Sequence, residues 1–202
     1  MEDRDTHLWH SAAYHRFFEG YQETETVDEH GRRRLRRVYM GSVWRQAVTP
    51  KMYILIRVAY AVLFALAVAA LVTAGIRETG ATPFYEVVTE LATVCLLAWT
   101  GYVLLVNYLF IPKEMTVHDY RASHGSLCKA SLFLTAAFAA DVLTALLGSL
   151  LAGTDPLRAL LFLAGELCGG AIAWYERRVP YEEKNGKDAD ESAGIVIEND
   201  EP

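Results

Sequence analysis

Charged side chains are scarce between positions 52 and 175, although they make up 22% of the chain as a whole. A soluble domain of this length mixes polar and apolar residues at short range, so this blockiness argues against one and for lipid as part of the solvent. Cysteine is scarce too. Cys95, Cys128 and Cys168 are odd in number and lie in or beside apolar runs, which excludes a disulfide framework and leaves them as small packing residues. The first fifty residues hold no apolar stretch of the kind a cleaved signal peptide needs, so the first apolar run is expected to act as an uncleaved anchor. Signatures of catalysis are missing as well: there is no His-Glu-x-x-His, Gly-x-Ser-x-Gly or Walker loop. His124-Gly125-Ser126 is a chance tripeptide, and Ser126 and Ser131 have no obvious base. No catalytic, cofactor-binding or metal-binding residue is therefore assigned, and the expectation is a protein that is not an enzyme and carries no cofactor.

Long apolar runs are what the sequence does have. A helix needs about 20 apolar residues to cross the hydrocarbon core. Four segments qualify: 52–76, 84–111, 127–151 and 157–175. Asp155-Pro156 is a helix-start signal, because Asp caps open N–H groups and Pro suits the first helical turn. The five residues 152–156 force the last two spans into an antiparallel hairpin.

Lysine and arginine alternate along the chain. Arg32, Arg33, Arg34, Arg36, Arg37, Arg45 and Lys51 precede the first span. Only Arg77 follows it, Lys113, Arg121 and Lys129 flank the next loop, Arg158 stands alone in the last hairpin, and Arg177, Arg178, Lys184 and Lys187 follow the fourth span. By the positive-inside rule, this places both termini in the cytoplasm of a cell, read here as the inner membrane of a bacterium.

Outside the spans, residues 1–20 form an N-terminal cytoplasmic segment, and 21–45 read as a cytoplasmic β-hairpin turning at His30-Gly31. That turn sets Glu29 opposite Arg32, Asp28 opposite Arg33 and Glu25 opposite Arg36, pairs worth roughly 0.2–1 kcal/mol each. The arginines at 32, 33, 34, 36 and 37 have two readings: an acid-paired strand carrying ordinary positive-inside charge, or a dock for anionic lipid headgroups. The patch is too short, and too close to a membrane, for nucleic acid. His7, His10 and His15 lack a ligand constellation, and so do His118, Asp119 and His124 in the cytoplasmic loop 112–126. The acidic stretch 181–202 reads as a disordered tail in which Ile195-Val196-Ile197 is a lone apolar patch.

Charges inside the spans each need a reason, since they cost several kcal/mol unless sheltered. Arg57 is close enough to the cytoplasmic end to snorkel, and Glu86 lies near the outer surface, where it is expected to be wet. Glu90 is a turn deeper, and Asp141 and Glu166 are near the middle. Glu86, Glu90, Thr93, Thr100 and Asn107 share one stripe, as do Ala137, Asp141, Thr144, Ala145 and Gly148. Gly165-x-x-x-Gly169 and the series Ala61, Ala65, Ala69 are close-packing patterns. In one reading Asp141 and Glu166 are neutral packing groups bonded to Thr144, Thr93 or Asn107. In the other, Asp141, Glu166, Glu90 and Asn107 form a proton or cation site, and a third option is pairing with another subunit.

The run Arg37-Val38-Tyr39-Met40-Gly41, then Trp44-Arg45 and the first span, resembles a group of uncharacterised small four-span bacterial membrane proteins. That resemblance implies the architecture and no activity. The expectation is a mainly α, polytopic four-helix membrane bundle with a short cytoplasmic hairpin. It would act as an accessory component of a membrane assembly, with a membrane partner or a second copy. The alternative is a small proton- or cation-coupled transporter or channel using the intramembrane carboxylates.

Overall fold

The computed structural model describes residues 21–27, 33–39, 41–77 and 83–184. Among them, four helices are long and apolar enough to cross a membrane: α1 (Pro50–Ile76), α2 (Phe84–Tyr108), α3 (Val117–Leu151) and α4 (Leu157–Glu176). The protein is a multi-pass membrane protein built as a four-helix bundle. Large apolar residues such as Ile54, Leu91, Leu143 and Leu160 stand exposed on the outer helix faces, which is the arrangement a lipid solvent requires.

Local chemistry sets the helix ends. Thr49 caps α1, its hydroxyl accepting the Met52 N–H at 3.4 Å, and Pro50 fills the first turn, where no donor is needed. α3 ends where Gly153 takes φ +70° and the N–H groups of Ala152 and Thr154 both return to the Gly148 carbonyl. Asp155 then opens α4 by accepting the Leu157 N–H at 3.0 Å, as the Asp-Pro signal predicts. Chain direction alternates, giving a near end, where α1 begins, and a far end, where α3 turns into α4.

Two helices contain one wide π-helical turn each, Val103–Tyr108 at the end of α2 and Arg121–Gly125 near the start of α3. In such a turn the N–H reaches back five residues, as Leu109 does to Leu104 at 2.9 Å, and the side chains that follow are re-aimed.

Small residues let the helices approach. A Cβ at Gly165 would lie 2.5 Å from the Phe138 ring and one at Gly169 3.0 Å from Thr135 Oγ1, so the glycine pair does pack α4 onto α3. The alanine series of α1 is different from the expected one. Ala67, Ala70 and Ala74 are buried whereas Ala65 and Ala69 are exposed, because the inward stripe is anchored on Ile56 and Tyr60. The core has a near-end part around Tyr60, Leu104, Leu127 and Ile172, and a part toward the far end around Leu97, Leu134, Phe138 and Phe162.

The second compact unit holds the strands outside the bundle. β1 (Tyr21–Val27) and β2 (Arg33–Tyr39) pair antiparallel, so the hairpin is present, but its register differs from the expected one by a residue. Glu25 faces Leu35 instead of Arg36, and Arg33 faces Val27 instead of Asp28; the expected Glu29–Arg32 pair lies outside the described residues. The hairpin also ends before position 45, since β3 (Val43–Gln46) belongs to a separate sheet of order β4-β3-β5 with β4 (Glu114–Thr116) and β5 (Tyr181–Lys184). β3 and β4 run antiparallel with Trp44 opposite Met115. Two further boundaries move accordingly. The 112–126 loop is a short strand followed by helix from Val117, and residues 181–184 of the acidic stretch are a strand, because backbone pairing with β3 satisfies their peptide groups.

Candidate functional site

Polar side chains buried in the bundle gather into two networks, one at each end. At the near end Glu176, the last residue of α4, is fully buried. Its Oε2 accepts from the hydroxyls of Tyr60 (2.9 Å) and Tyr108 (2.8 Å), and its Oε1 accepts from Tyr181 (2.8 Å) and from His124 Nδ1 (2.7 Å). Gln46 closes the ring: its Nε2 donates to the phenol oxygens of Tyr108 (3.3 Å) and Tyr181 (2.8 Å). Every polar atom of the carboxylate is thus matched, as a charge in a low-dielectric place demands. The two wide turns make this possible, because Tyr108 and His124 each lie within one. His124 is stacked on Tyr120 at 5.0 Å and tilted against Tyr181 at 4.6 Å, which fixes its ring plane. Burial, and then the Glu176 charge, push the Tyr181 phenol above its ordinary range, so it serves as a hydrogen-bond donor and not as a phenolate.

Arg57 belongs to the same end. Its guanidinium donates to the carbonyls of Leu109 and of Ile111 (2.5 Å), with Tyr53 stacked 4.0 Å from it and donating to the same Ile111 oxygen at 2.9 Å. These carbonyls are left over where α2 ends, and a cation at a helix C-terminus is favoured by the dipole. That capping explains why the second span's helix stops at Tyr108 and not at 111.

At the far end the central group is Arg158, which the sequence reading counted as a loop charge. It is 1% exposed. Its Nη1 donates to Glu86 Oε2 at 2.7 Å and its Nη2 to Glu90 Oε1. Glu86 is also 1% exposed, so it is dry and ion-paired where a wet surface acid was expected. Arginine suits this position because its planar fork serves two carboxylates at once. A polar seam between α2 and α3 runs inward from this cluster. Thr89 and Thr144 hydroxyls meet at 3.2 Å, and Thr93 Oγ1 donates to Asp141 Oδ2 at 2.6 Å. Gly148 makes room at the seam's outer rung: a Cβ there would be 1.8 Å from Glu86 Oε1.

Of the expected site residues, Asp141 and Glu90 join this far network. Glu166 and Asn107 do not: both are half-buried and, among the described residues, neither makes a hydrogen bond or ion pair. Asp141 and Glu166 therefore do not share a proton through a direct bond, because Thr93 takes the place of Glu166 beside Asp141. Arg33, Arg34, Arg36 and Arg37 lie on β2, while Arg32 and the histidines at 7, 10 and 15 lie outside the described residues. Sequence reasoning missed Glu176, Tyr60, Tyr108, Tyr181 and Gln46. The one available signal was Glu176 itself, an acid at the end of a span otherwise followed by Arg177 and Arg178.

Apolar core residues, among them Leu97, Leu134 and Phe138, lie along the helices between the two networks. The nearby hydroxyls of Thr100, Ser131 and Thr135 each donate to a carbonyl of their own helix, at 2.8, 2.6 and 2.7 Å. No protein-family model, no curated protein and no solved structure matches this chain.

Proposed function

We propose that this chain is a non-catalytic accessory component of a membrane assembly, held in the inner membrane of a bacterium with both termini in the cytoplasm. One observation carries the reading. At each end a buried charge is paired with the bundle's own groups, Glu176 with His124 and three tyrosines, and Arg158 with Glu86 and Glu90, and the core between them includes the apolar Leu97, Leu134 and Phe138. A bundle of that kind is a rigid support. Orientation rests on the positive charges, and the burial of Arg158 sharpens it: with that residue removed from the loop count, Arg77 is the basic residue left at the far end among the described loop residues. The resemblance of the Arg37–Gly41 run and Trp44-Arg45 to small four-span bacterial proteins supports the bacterial setting.

The contact element in this reading is β2, with four arginines in seven residues. In the observed register Arg33, Arg34 and Arg36 lie opposite Val27, Thr26 and Thr24, and of the four only Arg37 lies opposite an acid, Glu23. That favours an outward task over a strand of directly facing acid–base pairs. Anionic headgroups fit, at roughly 1 kcal/mol per basic residue near the surface. The competing reading, a small proton- or cation-coupled transporter, needs a polar route through the middle layer, which the arrangement there disfavours.

The test compares mild-detergent extracts of the full chain with one lacking residues 21–40. The reading expects the full chain to migrate as part of a larger assembly and the shortened chain, with its four helices intact by circular dichroism, to migrate alone. Identical migration of the two would overturn it.

A further inference from the structure

We infer that Asp141 is a proton-binding site in the membrane interior, loaded from the far end of the bundle. Asp141 is fully buried. Its Oδ2 is held by Thr93 at 2.6 Å, and its Oδ1 is buried without a partner. A carboxylate accepting one hydrogen bond in such a place leaves most of its charge unsupported, whereas a neutral carboxyl removes the charge at the atom that lacks a partner. Of the ionisable groups on the packed helices, α2 carries Glu86 and Glu90, both bonded to Arg158 of α4, and α4 also carries Glu166, which does not bond to Asp141. α1 has no ionisable side chain between Tyr60 and Arg77. Glu86 and Glu90 take hydrogen bonds from a cation, whereas Asp141 takes its own from a neutral hydroxyl, so the proton binds at Asp141.

The route is one-sided. Asp141 lies seven residues, about 10 Å of helix, inward from Gly148, and the Thr89–Thr144 hydroxyl pair stands between. Glu90 is the more exposed of the two glutamates bonded to Arg158, with 19% of its side chain exposed. Toward the near end the same helix buries the apolar Phe138 and Leu134. The step is simple: a proton delivered by water at the far end ends on Asp141 Oδ1. The site stores a proton and does not conduct one, so it stands apart from the accessory reading and fails or holds independently of it.

The test is infrared spectroscopy of the purified full chain in lipid nanodiscs. The wild type is expected to show a protonated-carboxyl C=O band at neutral pH that is lost in Asp141→Asn. In Thr93→Val the band shifts to higher frequency, since its carbonyl loses a donor, a change that a merely structural role for Thr93 would not produce. Exchange of that proton for deuterium is expected to slow severalfold in Thr89→Val/Thr144→Val. A spectrum whose carboxyl band is unchanged in Asp141→Asn overturns the site. If Asp141→Asn does not fold, a band unmoved in Thr93→Val overturns it. An unchanged exchange rate in the double threonine variant overturns the route.

Discussion

Replacing Arg158 with Met leaves Glu86 and Glu90 without their shared counter-charge. The pair with Glu86 is dry on both sides, with side-chain exposures of 2% and 1%, and the Nη1–Oε2 distance is 2.7 Å. At an effective dielectric of about 20, one such pair at 4 Å is worth about 4 kcal/mol of attraction, and breaking a buried pair by removing one partner costs about 3–5 kcal/mol. Arg158→Met should therefore destabilise the bundle by about 3–5 kcal/mol. The neutral triple variant, Arg158→Met/Glu86→Gln/Glu90→Gln, should recover most of that loss, because no uncompensated charge remains. Reversible unfolding in mixed detergent micelles, followed by circular dichroism, measures both. A loss below about 1 kcal/mol in the single variant, the range of a surface pair, or a triple variant no better than the single one, would refute the assignment of Arg158 to a buried network.

Other substitutions test neighbouring contacts. Gly148→Ala would place a Cβ 1.8 Å from Glu86 Oε1 and push that carboxylate off Arg158, for about 1–3 kcal/mol. On a Glu86→Ala background the same change should cost less, the Thr154 hydroxyl at 2.9 Å being the close contact that remains, and a mutant cycle showing additivity would contradict the clash with Glu86. Gly165→Ala meets the Phe138 ring at 2.5 Å and should also cost about 1–3 kcal/mol. Phe138→Leu should relieve that cost in the double variant, and unfolding curves without such relief would count against the α3–α4 contact as described. Asp155 is held below the usual carboxylate range, first by the Leu157 N–H and then by Arg77 at 2.9 Å. Its contribution to stability is therefore complete above its unfolded pKa of about 3.9 and is lost as pH falls through the lower folded value. Asp155→Asn should flatten that acid limb of the stability–pH profile, and a profile identical to wild type would contradict the linkage.

The spans were legible because lipid leaves little choice. About 20 consecutive apolar residues have few other fates, and polar stripes within such runs must turn inward. Thr93 and Thr100 on one stripe and Asp141, Ala145 and Gly148 on another are buried as their spacing implies, whereas Glu86, expected to be wet, is buried with them. Asp155-Pro156 and Gly165-x-x-x-Gly169 act locally and were also readable. What was hidden depends on contacts distant in sequence. Arg158, two residues past Pro156, looks like a loop charge until Glu86, 72 residues earlier, is set beside it. Glu176 looks like an interface acid until Tyr60, 116 residues away, and Tyr108 meet it. The wide turns that re-aim Tyr108 and His124 carry no compositional mark. The hairpin register differs by one residue from that of a two-residue turn at His30-Gly31, and every cross-strand partner changes with it.

The central claim is that the buried acids serve the bundle and do not form a pathway through it. Proton and cation flux into sealed liposomes carrying the purified full chain tests this most directly, with Asp141→Asn measured beside the wild type. The account predicts no flux above protein-free liposomes in either, even though Asp141 takes up a proton. Flux in the wild type that disappears in a folded Asp141→Asn variant would contradict it and make the seam from Arg158 to Asp141 half of a transport route.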